Sequence, residues 1–274
     1  MNNLIFDVTE ITSKSNSTII KIGKLGNKKY RNEEKLFVCN GIKLFREAVK
    51  FNAEIKYIVL NNNTDFDGDV IKLIKDQQSL GAMVLCVSDA VFDKLSEEQA
   101  PQGIIVVCKY FDDKHTFSIE AENEYFDDKI MLFESIRDPG NIGTIIRNAA
   151  AFGIDRLIFS SDCADIYSSK VIRAAMGAVF KVRIDIVDDF KGAIKSIKNC
   201  GKKVLGAALN QDSLVLGKYE LNTQDAVIIG NEGHGLPKET LELCDNTLFI
   251  PMNENTESLN AAIATAIIMW EFSK

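Results

Sequence analysis

Residues 134–153 read ESIRDPGNIGTIIRNAAAFG, and the apolar run KIMLF stands directly before them at residues 129–133. The apolar run predicts a buried β-strand that ends in a turn at the Pro-Gly pair. Beyond the turn, isoleucines and alanines recur at helical spacing, and Gly153 is placed to end a helix. The stretch therefore predicts a strand, a turn and a helix that begins at Ile142.

Two polar residues, Asn141 and Arg147, lie outside the apolar face of this predicted helix. A short amide side chain at the turn can cap a helix, and an arginine away from the apolar face is ordinarily solvated. For an isolated strand-turn-helix unit, capping and solvation explain both side chains. Any further role must be indicated by the rest of the chain.

Strand and helix patterns alternate along the whole chain of 274 residues. In the first part, the predicted strands are 35–41, 54–61, 82–88 and 103–110. In the second part, the predicted strands are 129–134, 156–160, 181–187, 202–209, 225–230 and 247–251. Such alternation predicts an α/β protein in which helices cover a mostly parallel sheet.

A polar and acidic segment, residues 111–128, separates these two parts and has no sustained period. We interpret it as a linker between a smaller domain of residues 1–110 and a larger domain of residues 129–274.

The chain closes with a predicted helix over residues 258–272. Six residues recur at helical spacing on one face of this helix, which predicts that the face packs closely against other backbone: Leu259, Ala262, Ile263, Ala266, Ile267 and Trp270. Ser258 lies at the expected start of the helix, and so does Asn260, where such residues commonly act as caps.

The overall composition is that of a globular protein, with 46% hydrophobic residues and a formal net charge of -7. The acidic balance argues against a protein that coats nucleic acid indiscriminately. Residues 14–35 form a local lysine-rich segment, which is either an RNA-contacting patch or an ordinary solvated face. No secretion signal or membrane-spanning stretch is visible, so we expect a cytoplasmic protein.

The cysteines and histidines do not indicate a metal site. The six cysteines are spread singly along the chain, and there are only two histidines. This spacing favours neither a zinc site nor a disulfide framework, and we expect mostly buried thiols.

Three loops of the second part follow apolar strands and carry glycine, proline, asparagine or an acidic residue. They read DPGNIG, GNEGHG and PMNENTESLN. Ligands of parallel α/β sheets bind beyond the carboxyl ends of the strands, where these loops are expected to lie. Neither G-x-x-x-x-G-K-[ST] nor G-x-G-x-x-G occurs, which argues against an ordinary nucleotide-binding enzyme.

Taken together, the three loops resemble the motifs of the SpoU or TrmH family of RNA ribose 2′-O-methyltransferases. The matching residues are Asn141, Gly143 and Arg147 in the first motif, Gly230, Glu232 and Gly235 in the second, and Ile250 to Met252 with Ser258 to Asn260 in the third. The first part of the chain, with KYRNEEKLFVCNG at residues 29–41 and APQG at residues 100–103, resembles the ribosomal-protein-like substrate-binding domain of the family.

This resemblance implies that the larger domain is an α/β sheet with a trefoil knot and that the protein is a homodimer. It also implies that the chain binds S-adenosylmethionine in the knot. By resemblance, the backbone around Gly230, Ile250 and Leu259 would hold the cofactor. No metal is required for the reaction.

The resemblance further assigns Arg147 to catalysis, with Asn141, Glu232, Ser258 and Asn260 orienting it and the ribose. The family proposal makes this arginine the base that deprotonates the ribose hydroxyl. Arginine is effectively always protonated and binds phosphate through its guanidinium fork, so a phosphate clamp is the alternative role.

The implied reaction is methylation of a ribose 2′-hydroxyl, a group found in RNA and not in DNA. The additional N-terminal domain favours ribosomal RNA as the substrate, with transfer RNA as the alternative. A catalytically inactive RNA-binding member of the fold is a further alternative. It is favoured by the acidic charge and by three departures from the family pattern, at Ser169, Ala175 and His234.

Overall fold

The computed structural model of the chain describes residues 2–111, 127–210, 212–253 and 258–274. These residues form two compact units, one of residues 2–111 with Tyr167–Phe180 and one of residues 127–166 with Lys181–Lys274. The predicted linker, residues 111–128, lies almost wholly outside the described residues.

The first unit alternates helices with the strands of a small mixed sheet. Its elements are α1 (Asn2–Ile5), α2 (Ser17–Lys24), α3 (Lys28–Glu34), β1 (Leu36–Asn40), α4 (Ile42–Lys50), β2 (Ile55–Asn61), α5 (Gly68–Ser79), β3 (Met83–Val87), α6 (Asp89–Leu95) and β4 (Ile104–Lys109). The strand order is β1-β4-β2-β3, with β2 and β3 parallel and the other pairs antiparallel. The four strands predicted for this part are confirmed.

Helices α2 and α3 were not predicted, and they occupy much of the lysine-rich segment. Asn16 caps α2 by accepting hydrogen bonds from two backbone amides, and Asn27 caps α3 in the same way through one. Arg31 does not belong to an exposed patch, because its side chain is buried and donates from Nη1 to the carbonyl oxygen of Leu25 at 2.7 Å.

The second unit contains a larger sheet whose strand pairs are all parallel. Its elements are β5 (Ile130–Phe133), α7 (Pro139–Phe152), β6 (Arg156–Ser160), β7 (Arg183–Val187), α9 (Phe190–Asn199), β8 (Lys203–Ala207), β9 (Leu214–Val215), β10 (Asp225–Ile229), α10 (Lys238–Leu241), β11 (Asn246–Phe249) and α11 (Ala261–Phe272). Helix α8 (Ser169–Ala175) groups with the first unit. The strand order is β7-β6-β5-β10-β8-β11-β9.

The centre of the larger sheet is apolar on both faces. Every residue of β5 and of β10 is buried, as expected for strands covered by helices on both sides. Ala193, Ile194 and Ile197 of α9 pack on one face of the sheet in a cluster with residues of β5, β6, β8 and β10. The predicted parallel α/β sheet is confirmed, and β9 is a short additional strand at its edge.

Helix α7 begins earlier than the sequence pattern predicts. Asp138 is the N-cap and accepts a hydrogen bond from the backbone amide of Asn141 at 3.0 Å. Pro139 occupies the first helical position, where its missing N–H and fixed φ cost nothing. The predicted start at Ile142 and the capping role of Asn141 are therefore wrong. Gly153 ends the helix in the left-handed region, as predicted.

The predicted buried face of the last helix is wrong. Helix α11 begins at Ala261, and Ile263 and Trp270 are 55% and 53% exposed. Of the predicted face only Ala262 is buried, and the other buried residues of the helix are Ala261, Thr265, Ile268, Met269 and Phe272. Helix α11 is apolar around most of its circumference, so spacing alone does not identify its buried face.

A buried ion cluster connects strands β6 and β7 of the larger sheet with Asp128, which precedes β5. Arg156 of β6 is 2% exposed, and its Nη1 donates to Asp185 Oδ2 of β7 at 3.0 Å. Its Nε donates to Asp128 Oδ2 at 3.4 Å. Because a buried charge that loses its partner remains desolvated, such pairs are costly to break.

We expect the substitution Asp185→Ala to lower the free energy of unfolding by about 3–5 kcal/mol, measured by urea denaturation. The control is Arg46→Ala, which removes an exposed ion pair to Asp67 with a distance of 3.1 Å. It should cost less than about 1 kcal/mol. Equal losses for the two variants would contradict a stabilising role of the buried cluster.

Candidate functional site

The three loops singled out in the sequence lie at one edge of the larger sheet. They follow β5, β10 and β11, whose strand pairs are parallel, so their carboxyl ends point the same way. Strands β5 and β10 are direct neighbours, with Phe133 paired to Ile229 at their ends.

Glu232, in the loop after β10, bridges to the loop that precedes α7. Its carboxylate accepts hydrogen bonds from the backbone amides of Arg137 and Asp138, both at 3.2 Å. It also accepts a hydrogen bond from Asn141 Nδ2 at 3.0 Å. These bonds fix the first turn of α7 against the loop after β10.

Asn141 continues this bridge to the third loop. Its Oδ1 accepts a hydrogen bond from Asn260 Nδ2 at 3.0 Å. Asn260 Oδ1 in turn accepts from the backbone amides of Ala262 and Ile263, which confirms its predicted capping role. We call Glu232, Asn141 and Asn260 the three-loop network, because each side chain comes from a different one of the three segments singled out in the sequence, with Asn141 now in the first turn of α7.

The electrostatics of Glu232 agree with this bridging position. Partial burial alone would raise the pKa of its carboxyl group, but the hydrogen bonds from Asn141 and from backbone amides outweigh it, and the pKa lies below its ordinary value. Glu232 is therefore a carboxylate at neutral pH and acts as a hydrogen-bond acceptor.

The loop after β10 is tightly closed. The backbone amides of Asn231 and Gly235 donate to each other's carbonyl oxygens at 3.1 and 2.9 Å. Asn231 Oδ1 also accepts from the amides of Gly233 and His234. A Cβ atom at Gly230 would lie 2.3 Å from the backbone carbon of Gly235, so only glycine fits at this position.

Arg147 is exposed on α7. Among the residues that the structure describes, its side chain has no hydrogen-bond or ion-pair partner. Its guanidinium is therefore available to an anionic ligand such as a phosphate group.

The residues predicted to hold the cofactor lie at the same edge as the three-loop network. Gly230 is buried at the end of β10, and Ile250 and Leu259 are half-buried on either side of residues 254–257. The backbone groups of Ile250 and Leu259 form no hydrogen bond within the described ranges, so they remain available to a polar ligand. This fits a cofactor such as S-adenosylmethionine, held mainly by backbone contacts.

The structure thus brings three of the five predicted catalytic residues into direct contact. Ser258 is exposed and, like Arg147, forms no hydrogen bond to the three-loop network. Within the described part of the chain, no group of three His, Cys, Asp or Glu side chains could hold a metal ion. None of the helices described here is long and apolar enough to cross a membrane.

A cleft of about 570 Å³ opens beside the network, and sequence reasoning did not identify it. Its walls are formed by Glu134, Ser135, Arg137, Asn231, His234, Gly235 and Pro237. The sequence indicates this cleft only through the position of Glu134 to Arg137, which stand directly before the first motif.

A parallel α/β sheet with a closed glycine-rich loop and a side-chain network at its carboxyl edge is typical of the ligand-binding class of α/β proteins. The sequence profile of the SpoU rRNA Methylase family matches residues 128–270, and that of the MRM3-like substrate binding domain matches residues 16–106. The chain belongs to the SpoU rRNA methylase family.

Individual relatives agree with this membership. The chain is 30% identical to the 23S rRNA (guanosine(2553)-2′-O)-methyltransferase RlmP of Bacillus subtilis, over 95% of this chain and 98% of that protein. It is 25% identical to the 23S rRNA (uridine(2479)-2′-O)-methyltransferase of Streptomyces viridochromogenes, over 90% of this chain and 85% of that protein.

A solved structure gives the same result. The AdoMet-bound rRNA methyltransferase from Sinorhizobium meliloti is 28% identical and superimposes with a TM-score of 0.83, over 96% of both chains. The predicted family, the α/β fold class, the RNA 2′-O-methyltransferase activity and the cofactor S-adenosylmethionine are confirmed.

Proposed function

We propose that this chain transfers the methyl group of S-adenosylmethionine to a ribose 2′-hydroxyl of ribosomal RNA. The three-loop network carries the proposal, because it joins the loops expected to bind cofactor and RNA. The two relatives described above are named as enzymes that act on 23S rRNA. The similarity to this chain extends over at least 85% of the length of each relative. A ribosomal RNA substrate also favours a cytoplasmic location.

The two parts of the chain have separate roles in this proposal. Residues 129–274 perform methyl transfer, residues 1–110 bind the RNA, and residues 111–128 connect them. The match of residues 16–106 to a substrate-binding domain supports the second role. The trefoil knot implied by the family is part of the same proposal.

The cofactor, when bound, supplies a methyl group on a positively charged sulfur. The chain's own residues must hold that group in line with the ribose hydroxyl, and such positioning provides a large part of catalysis. Gly230, Ile250 and Leu259 are proposed to hold the cofactor through their backbone groups.

Arg147 is proposed to bind the phosphate beside the target ribose and to stabilise negative charge on the 2′ oxygen. A guanidinium is effectively always protonated, so it is poorly suited to accept the hydroxyl proton. Asn141 keeps one N–H of its amide after donating to Glu232, and this N–H can point to the ribose or phosphate. Ser258 and Asn260 complete the site from the third loop.

The direct test is methyl transfer by purified protein from radiolabelled S-adenosylmethionine to unmodified ribosomal and transfer RNA. We expect label on a ribose of ribosomal RNA. Label on transfer RNA would support the alternative substrate. Cofactor binding without labelling of either RNA would indicate an inactive RNA-binding member of the fold.

The three-loop network predicts coupled effects of mutation. Asn141→Ala and Asn260→Ala should each lower kcat/KM by about 100-fold, because either change releases the bond between the loops. The double variant should lose less than the product of the two single losses, because both changes remove the hydrogen bond between Asn260 and Asn141. Multiplicative losses in steady-state kinetics would mean that the two residues act independently.

We also propose a homodimer that forms through α11. Ile263 and Trp270 lie on one exposed side of this helix, and the Trp270 ring meets Phe152 of α7 edge to face at 5.9 Å between centroids. An exposed apolar helix face of this kind is typical of a protein-protein interface.

The dimer proposal predicts that Trp270→Glu yields a monomer in analytical ultracentrifugation, because a charge would be buried in the interface. Leu80→Glu is the matched control, since Leu80 is 78% exposed in the first unit. This control should sediment like the unchanged protein. The proposal would be contradicted if the wild-type protein were a monomer or if the Trp270→Glu variant remained a dimer.

A further inference from the structure

The proposed function leaves the cleft beside the three-loop network without a role. Its volume of about 570 Å³ is in the range of pockets that hold small organic ligands. Arg137 lines this cleft, and its side chain is 61% exposed. The arginine stands directly before Asp138, the residue that caps α7.

The guanidinium of Arg137 is held by Asp162, in the loop after β6. Nη1 donates to the carbonyl oxygen of Asp162 at 2.6 Å, and Nη2 donates to its Oδ2 at 2.7 Å. Asp162 is itself held, because Ser135 Oγ donates to Oδ2 at 2.6 Å and Ser160 Oγ donates to Oδ1 at 2.5 Å. An exposed arginine thus has a fixed orientation, whereas most surface ion pairs do not fix one.

Ser135 links this arrangement to the three-loop network. It adopts a φ of +57°, which is uncommon for a residue other than glycine and carries backbone strain. Its amide donates to Ser160 Oγ at 2.9 Å, and its carbonyl oxygen accepts from Asn231 Nδ2 at 2.8 Å. These two hydrogen bonds stabilise the strained backbone conformation of Ser135, two residues before Arg137.

Asp162 remains ionised in this environment. Partial burial alone would raise the pKa of its carboxyl group, but the bonds from Ser135 and Ser160 and the charge of Arg137 outweigh that effect. The pKa therefore lies below its ordinary value. A permanent carboxylate keeps Arg137 in place at neutral pH.

The guanidinium has five N–H groups, and Asp162 uses two of them. The guanidinium has no further hydrogen-bond partner in the part of the chain that the structure describes. The remaining donors form a planar edge that matches the oxygens of a phosphate group. A pre-oriented fork on a residue that lines the cleft is suited to bind one phosphate.

We infer that Arg137 binds a phosphate of the RNA substrate and that the cleft receives the nucleotide attached to that phosphate. This inference rests on the proposed function and adds a phosphate contact separate from that of Arg147. Asp162 and Ser135 are positioning residues for Arg137. The base of the nucleotide would lie against His234 and Pro237, which line the cleft.

The test measures the affinity of the full-length protein for a fluorescent, unmodified ribosomal RNA fragment at several salt concentrations. For Arg137→Ala we expect at least tenfold weaker binding and a salt slope reduced by about 0.7, the value for one single-stranded phosphate. KM for the RNA should rise more than kcat falls. The affinity for S-adenosylmethionine, measured by calorimetry, should be unchanged, which also shows that the variant is folded.

Two further variants separate charge from orientation. Arg137→Lys keeps the charge without the planar fork and should restore the salt slope but only part of the affinity. Asp162→Asn should weaken RNA binding without changing the slope, because the phosphate contact remains but its orientation is lost. Lys195→Ala is the matched control, since it removes a positive charge from the exposed face of α9 and should change neither quantity.

The outcomes distinguish this inference from the proposed function. If the unchanged protein binds the RNA fragment but transfers no methyl group, the proposed function fails while the salt slope still tests Arg137. If Arg137→Ala binds RNA with unchanged affinity and slope, the inference is overturned even when methyl transfer is observed. Absence of RNA binding by the unchanged protein would overturn both.

Discussion

Replacing Arg147 with alanine is expected to reduce methyl transfer by about 1,000-fold while cofactor affinity stays within about twofold. The guanidinium is exposed on α7 and has no partner among the described residues, so its removal leaves the fold intact. What is lost is the proposed contact to the RNA phosphate and to the developing charge on the 2′ oxygen. Single-turnover kinetics together with calorimetry of S-adenosylmethionine binding measure both quantities.

The control for this experiment is Thr144→Ala on the same helix. Thr144 is exposed, and its hydroxyl donates only to the carbonyl oxygen of Gly140 within α7. This variant should retain full activity. If Arg147→Ala loses cofactor binding and methyl transfer to the same extent, then Arg147 has a structural role and the proposed assignment is wrong.

The second large effect is expected for Gly230→Ala, which should weaken cofactor binding by at least about 100-fold. A Cβ atom there would lie 2.3 Å and 2.4 Å from the carbonyl group of Gly235 and 2.5 Å from the backbone nitrogen of Leu236. Backbone atoms cannot move aside as a side chain can, so the loop after β10 must open. Calorimetry with S-adenosylmethionine measures the loss, and methyl transfer should fall with it.

Gly233→Ala in the same loop is the matched control. The nearest atom to a Cβ there is Asn231 Oδ1 at 3.6 Å, an ordinary van der Waals contact. Cofactor affinity should change by less than about threefold, because surface substitutions without a clash cost about 0.5 kcal/mol or less. Similar losses for both variants would show that the closed loop is not what holds the cofactor.

The parallel sheet and its strands followed from the sequence because the apolar runs are short, frequent and separated by helical spacing. The start of α7 was also encoded, since Asp138 before Pro139 is a cap followed by a residue favoured at the first helical position. Reading the Pro-Gly pair as a turn placed Asn141 outside the helix. Inside the first turn, its side chain reaches Glu232 instead.

Other parts of the site could not be predicted from local pattern. The contact between Asn141 and Glu232 joins residues 91 positions apart, and only the adjacency of β5 and β10 brings them together. The positive φ of Ser135 has no sequence signal, because the residue is not glycine. Asp162 belongs to no motif, and its role depends on the position of Arg137.

The most direct test of the central claim is a map of ribose 2′-O-methylation across total RNA from cells with and without this protein. We predict that one ribose of ribosomal RNA loses its methyl group when the protein is absent. Unchanged protein should restore the methyl group, and Arg147→Ala should not. An unchanged ribosomal RNA map, or a lost methyl group that belongs to a base or to transfer RNA, would contradict the account.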